Sequence, residues 1–226
     1  MDNRGRRAAI LKRGTDTVSD NQRDDDLLAR LEAGDERVVN ELFTRYRERL
    51  RQMVRLRLDR RLQGRIDASD VLQEAYLEVA RRAREYIARP TMPPFLWMRF
   101  LTAQKLLELH RHHLGARMRD AAQELSLCHR ATPQASSVSL AEMLLGRLTS
   151  PTLAARRAEM QQKLQEVINS LDPLDREVVA LRHFEELSNS EVAQVLGLSK
   201  TAASNRYIRA LARLKEMLEG IPGFIE

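Results

Sequence analysis

Apolar residues recur three or four positions apart over most of this chain, the period of helices with one buried face. The signal begins at Leu27, Leu28 and Leu31, pauses at Gly34, and resumes as Val38, Val39, Leu42, Phe43, Tyr46, Leu50, Met53 and Val54. Gly64 interrupts it, and Asp67 opens a second long helix from Ala68 to near Tyr86. In that helix Val71, Leu72, Ala75, Tyr76, Val79 and Ala80 fall on one side, and Asp70, Gln73, Glu74, Leu77 and Glu78 on the other. Pro90, Pro93 and Pro94 force a loop, after which a third helix is predicted from Phe95 to near His113.

Residues 115–152 are rich in Ala, Ser, Thr and Gln, with Pro133 and Pro151 as punctuation. They read as a linker with room for one helix at Leu140–Leu148. Patterning returns at Leu153, and Leu164, Val167, Ile168 and Leu171 form a stripe. Asp172 is placed to cap the next helix and Pro173 to start it, with Val178, Val179 and Leu181 inward. Ser188–Leu214 then reads as helix, turn and basic helix. Ser188 and Glu191 have capping-box spacing, Gly197 suits a left-handed helix end, and Ser199 can cap a second helix starting near Lys200. Ala203, Tyr207 or Ile208, Leu211 and Leu214 are its expected inward residues. The predicted fold is all-α. It has a disordered tail at 1–25, a helical domain at 26–114, a linker at 115–152, and a second helical domain with a helix-turn-helix at 153–220. No internal repeat is visible.

Composition supports helices with modest cores, since only 4% of residues are aromatic and 31% are charged. The net charge of +6 suits a polyanionic partner. Arginine greatly outnumbers lysine, and guanidinium matches phosphate and guanine bidentately. A single cysteine, Cys128, excludes an internal disulfide. No apolar run approaches the ~20 residues of a membrane span. The basic start (Arg4, Arg6, Arg7) is followed only by the short apolar patch Ala8–Leu11, too short for a signal-peptide core. A cytoplasmic protein that does not engage membrane is expected.

Three segments bear on chemistry. The second helix of the helix-turn-helix presents Lys200, Ser204, Asn205, Arg206 and Arg209, as a helix entering a major groove requires. Phe95–Arg111 interleaves Phe95, Trp97 and Phe100 with Arg99, Lys105 and Arg111; aromatic planes can stack bases while cations hold the backbone. A small domain also needs its few aromatics inside, which favours a core cluster for Phe95 and Trp97. The loop at 89–94 could present a pocket for an unstacked base. In His110–His113, Glu108 and His112 stand four apart like helical metal ligands, but a third ligand is not evident. No phosphate loop, triad or paired-carboxylate motif appears. No metal, cofactor or enzymatic activity is expected.

Together these segments resemble bacterial RNA polymerase sigma factors of the extracytoplasmic-function (ECF) class over roughly residues 26–114 and 153–218. DASDVLQEAYLEV resembles the family's Asp-x-x-Gln-Glu helix, and FLWMRFLTAQKLLELHRHH its promoter-melting helix. LDPLDREVVALRHFEELSNSEVAQVLGLS and KTAASNRYIRALARLKEML resemble its promoter-reading domain and recognition helix. The resemblance implies a protein that binds core polymerase and directs promoter-specific initiation. It assigns binding of the largest subunit's clamp coiled coil to Asp70, Gln73, Glu74 and Leu77, with the polymerase flap as a further contact. It assigns melting and −10 contacts to the loop 89–94 and to Trp97 or Met98, Gln104, Lys105 and Arg111. It assigns −35 contacts to Lys200, Thr201, Ser204, Asn205, Arg206 and Arg209. The partners implied are core polymerase, promoter DNA and an anti-sigma factor. Ala103-Gln104-Lys105 and Glu108 depart from the family's Ala-Arg-Asn and following Asp, and Lys200-Thr201-Ala202 from its Gly-Thr-Val. The linker is longer than is usual in the family; it either threads the polymerase near the RNA exit path or is a plain spacer. The competing readings are a stand-alone helix-turn-helix regulator, which would bind duplex tightly by itself and not need the Asp70 face, and a protein-binding helical module.

Overall fold

The computed structural model describes residues 26–27, 29–30, 33, 35, 37–114, 133–148 and 154–219. The expected tail at 1–25, residues 115–132 with Cys128, the start of the following helix at Leu153, and the last seven residues lie outside the described residues.

Every described element is helical. The first three helices are α1 (Arg37–Arg57), α2 (Ala68–Ala88) and α3 (Pro94–Leu114). Then come α4 (Ser137–Leu148), α5 (Ala154–Asn169) and α6 (Pro173–Val179), which runs on as a π-helical turn over Ala180–Phe184. The chain continues as α7 (Asn189–Leu196) and α8 (Lys200–Glu219). The breaks fall where the sequence places them. Gly64 has φ of 96°, a backbone state that costs glycine least, and follows the turn that closes α1. The room left for one helix in the linker is taken by α4, three residues longer at its start than expected.

α1, α2 and α3 pack mutually, and α4 pairs with α5. α8 packs on α5, α6 and α7. The two halves are in contact. One core joins Val38, Leu42, Leu50, Val71, Phe95 and Met98 to Val178, Leu181, Leu187, Val192 and Ala203. In the other, Leu56 of α1 sits among Leu140, Leu145, Leu164, Ile168, Phe184 and Leu214. A backbone hydrogen bond from the Ser136 N–H to the Leu56 carbonyl, 2.8 Å, reinforces that insertion. α1 therefore serves both cores, with a stripe in the first and Leu56 in the second.

Candidate functional surfaces

α2 starts rigidly. Asp67 caps it by accepting from the Ser69 and Asp70 N–H groups at 2.6 and 3.1 Å, while Asp70 Oδ2 accepts from the Asp67 N–H at 2.8 Å. These bonds hold the Asp67 carboxyl below its usual range. Asp70, Gln73 and Glu74 are exposed, and Leu77 is 62% exposed, so all four share one open face. Two expectations for this helix need correction: Glu78 is buried and paired with Arg81 and Arg82, and Ala80 is exposed. The face therefore ends at Leu77. A cleft of about 290 Å³ beside it is lined by Glu74, Leu77, Glu78, Arg81 and Lys105. Lys105, assigned above to promoter DNA, thus lies next to the α2 face, paired with Glu108 at 2.7 Å.

α3 is mostly committed to the core. Phe95 is 2% exposed with its ring 5.1 Å from Tyr46, and Met98 is 1% exposed. Met98 is thereby corrected as a base contact, because its side chain fills the space between helices. Trp97 is half-buried and stacks on Tyr86 at 4.3 Å and 15°. The Tyr86 hydroxyl donates to the Met92 carbonyl at 2.7 Å, so this stack also anchors the loop 89–94. Arg99 is not available to a DNA backbone: it is buried, with Nε 2.7 Å from Glu185 Oε2. Phe100, at 37% exposed, is the most exposed of Phe95, Trp97 and Phe100. Gln104 is half-buried and Arg111 exposed. His110 is buried, and its Nε2 accepts from the Asp59 N–H at 3.3 Å. Burial pushes its pKa below the ordinary histidine value. Among the described residues no three His, Cys, Asp or Glu side chains are grouped to hold a metal.

The helix-turn-helix forms as its caps foretell. Ser188 Oγ accepts from the Glu191 N–H at 3.2 Å, and Glu191 returns a bond to the Ser188 N–H at 2.6 Å. Gly197 ends α7 in the left-handed region, φ 64°. Ser199 caps α8 through the Ala202 N–H, and Asn189 Nδ2 reaches the Lys200 carbonyl at 2.8 Å, tying the starts of the two helices together. α8 buries Ala203, Ala210 and Leu214, with Tyr207 half-buried against Arg182. Leu211, expected inward, is 39% exposed, and Ile208, the alternative to Tyr207, is 61% exposed. The inward stripe is thus Ala203, Tyr207, Ala210 and Leu214. Lys200, Thr201, Asn205 and Arg209 are exposed, and Ser204 is half-buried. Arg206 is engaged: its Nη1 lies 2.5 Å from Asp175 Oδ1.

Comparison with known proteins agrees with this geometry. Residues 161–214, which contain α6, the π turn, α7 and most of α8, match the family model "Sigma-70, region 4". The RNA polymerase sigma-E factor of Streptomyces avermitilis is 45% identical over 56 residues, which are 25% of this chain and 31% of that protein. The probable RNA polymerase sigma factor RfaY of Xanthomonas campestris is 25% identical over 151 residues, 67% of this chain and 34% of that one. The matched stretch thus spans about a third of the length of these curated relatives. In fold, the chain is similar to CnrH in its complex with the cytosolic domain of CnrY. The TM-score is 0.51 and the identity 22%, over 87% of this chain and 97% of that one. Residues 161–214 match the sigma-70 region 4 family, and the relatives this chain resembles, over that stretch and in one case over 151 residues, are RNA polymerase sigma factors.

Proposed function

We propose that this chain is an ECF-class sigma factor that binds core RNA polymerase and directs it to promoters. The carrying observation is the capped α7–Gly197–α8 unit inside the region 4 match, with Lys200, Thr201, Asn205 and Arg209 open to solvent. In this reading α8 enters the major groove of the −35 element. The α2 face of Asp70, Gln73, Glu74 and Leu77 docks on the clamp coiled coil, two carboxylates giving charge complementarity and Leu77 an apolar anchor. The flap of the polymerase holds the second half. The −10 element is opened against the loop 89–94 and α3, where Trp97, Gln104, Lys105 and Arg111 are reachable and Phe100 joins them. Phosphodiester chemistry belongs to the polymerase; this chain contributes position. The protein acts in the cytoplasm. An anti-sigma protein is the expected inhibitor, and the CnrH structure, which contains the cytosolic domain of CnrY, gives a precedent for a protein partner on this fold.

The test is co-elution with core polymerase in gel filtration. Stoichiometric co-elution of the native chain, lost in Glu74→Arg, is expected. Failure of the native chain to associate would overturn the proposal.

A further inference from the structure

Glu185 is wholly buried at the corner between the π turn and the helix-turn-helix, and charges from the first half close on it. Arg57 of α1 and Arg99 of α3 both pair with its carboxylate. Arg57 also pairs with Glu177, whose Oε2 accepts from the Ala135 N–H at 3.0 Å. Arg49 Nε donates to the Glu185 carbonyl at 2.9 Å and Nη2 to the Glu186 carbonyl at 3.1 Å, with its guanidinium 3.5 Å from the centre of the Phe95 ring. Glu186 holds φ of 59°, the sole non-glycine residue with positive φ among those described. Three arginines of one half thus converge on one corner of the other. Burial alone would push the Glu185 carboxyl up, but Arg57 and Arg99 hold it below the usual carboxylate range.

Such a cluster is a poor way to glue a core. Buried ion pairs recover their desolvation cost only with full hydrogen bonding, and apolar packing of the same volume does as well. Here Arg57 Nε and Arg99 Nη2 are buried without a hydrogen-bond partner among the described residues. What buried charge adds is all-or-none behaviour: the halves meet in one register, and removing one partner strands the others.

We propose that Glu185 is a latch holding the two halves of the free protein in a closed form that must open for promoter binding. This rests on the sigma-factor reading. The −10 and −35 elements lie about 85 Å apart along straight duplex at ~3.4 Å per base pair. A compact chain of this length has a radius of gyration of only about 17 Å. The latched chain cannot lay α3 and α8 on both elements at once. Closure also occupies Arg99 in the second turn of α3, while the α2 face and the exposed residues of α8 stay open. Polymerase can therefore engage the closed protein first and spend binding energy on parting the halves.

The experiment uses the full chain with Cys128→Ser, spin-labelled at Ala80→Cys in α2 and Arg213→Cys in α8, both exposed. One short distance is expected in the free protein. Glu185→Gln should add a longer population, and Arg49→Ala, which strands no buried carboxylate, should do so to a smaller extent. Circular dichroism distinguishes opening from unfolding in both. Opening the latch should tighten core polymerase binding roughly 3- to 10-fold, as the closed fraction no longer has to be overcome. Unchanged distances in both variants, or opening with no gain in affinity, would overturn the latch. Absence of polymerase binding by native and variant chains alike would overturn the functional reading and the latch with it.

Discussion

Arg206 Nη1 sits 2.5 Å from Asp175 Oδ1 and 3.5 Å from Asp172 Oδ1, so α8 is tied to the first turn of α6. An arginine that looks free to read guanine in the sequence is thereby occupied with intraprotein carboxylates. Arg206→Ala is expected to lower stability by about 1 kcal/mol, the worth of a partly exposed, well-aligned pair. Arg209→Ala should leave stability unchanged and weaken −35 duplex binding by roughly 1–3 kcal/mol. Thermal melts and a salt-controlled titration of polymerase-bound protein check both.

On α2 the two carboxylates have different jobs. Asp70 closes the capping box and Glu74 does not. Glu74→Arg and Leu77→Ala should each abolish or strongly reduce core polymerase binding with unchanged melting temperature. Asp70→Arg should reduce binding and also lower the melting temperature by a few degrees. Gel-filtration co-elution together with calorimetry separates the two effects.

In α3, Met98→Ala should cost about 2–5 kcal/mol of stability, as for other buried large-to-small changes. Phe100→Ala should cost little and instead slow promoter opening. Denaturant melts and fluorescence of a base analogue in the −10 element report these two outcomes.

His110 gives a pH dependence. Its folded pKa is lowered by burial, so the folded state favours neutral imidazole while the unfolded chain takes up a proton near the ordinary value. Asp59, which raises it, and Arg61, which lowers it, are the charged groups acting on it. Its contribution is fully present above about pH 6.5 and is lost as pH falls through the lower folded value. The melting temperature should fall from pH 7 to pH 5.5, and His110→Gln should flatten that slope.

Local chemistry was legible in the sequence; long-range charge was not. The caps at Asp67, Asp172, Ser188 and Gly197 depend on residues two or three apart, and each stands where its spacing places it. Apolar periodicity located α1, α2 and the start of α8 for the same reason. It failed for Arg57, Arg99 and Glu185, which pair across 86 residues or more. Polar side chains have no period, so they read as solvated. It also failed for the inward stripe of α8, where small Ala210 is buried and larger Ile208 is not. The candidate α2 face was visible because its pattern breaks: one leucine stands among carboxylates and amides.

Reconstituted transcription decides whether this chain directs polymerase to promoters. Core polymerase, purified chain and genomic promoter fragments should give run-off products from a small set of promoters, none without the chain, while the chain alone binds the same duplexes weakly. Nanomolar duplex binding by the chain alone, with no promoter-specific product when core polymerase is added, would contradict it and leave a stand-alone helix-turn-helix regulator.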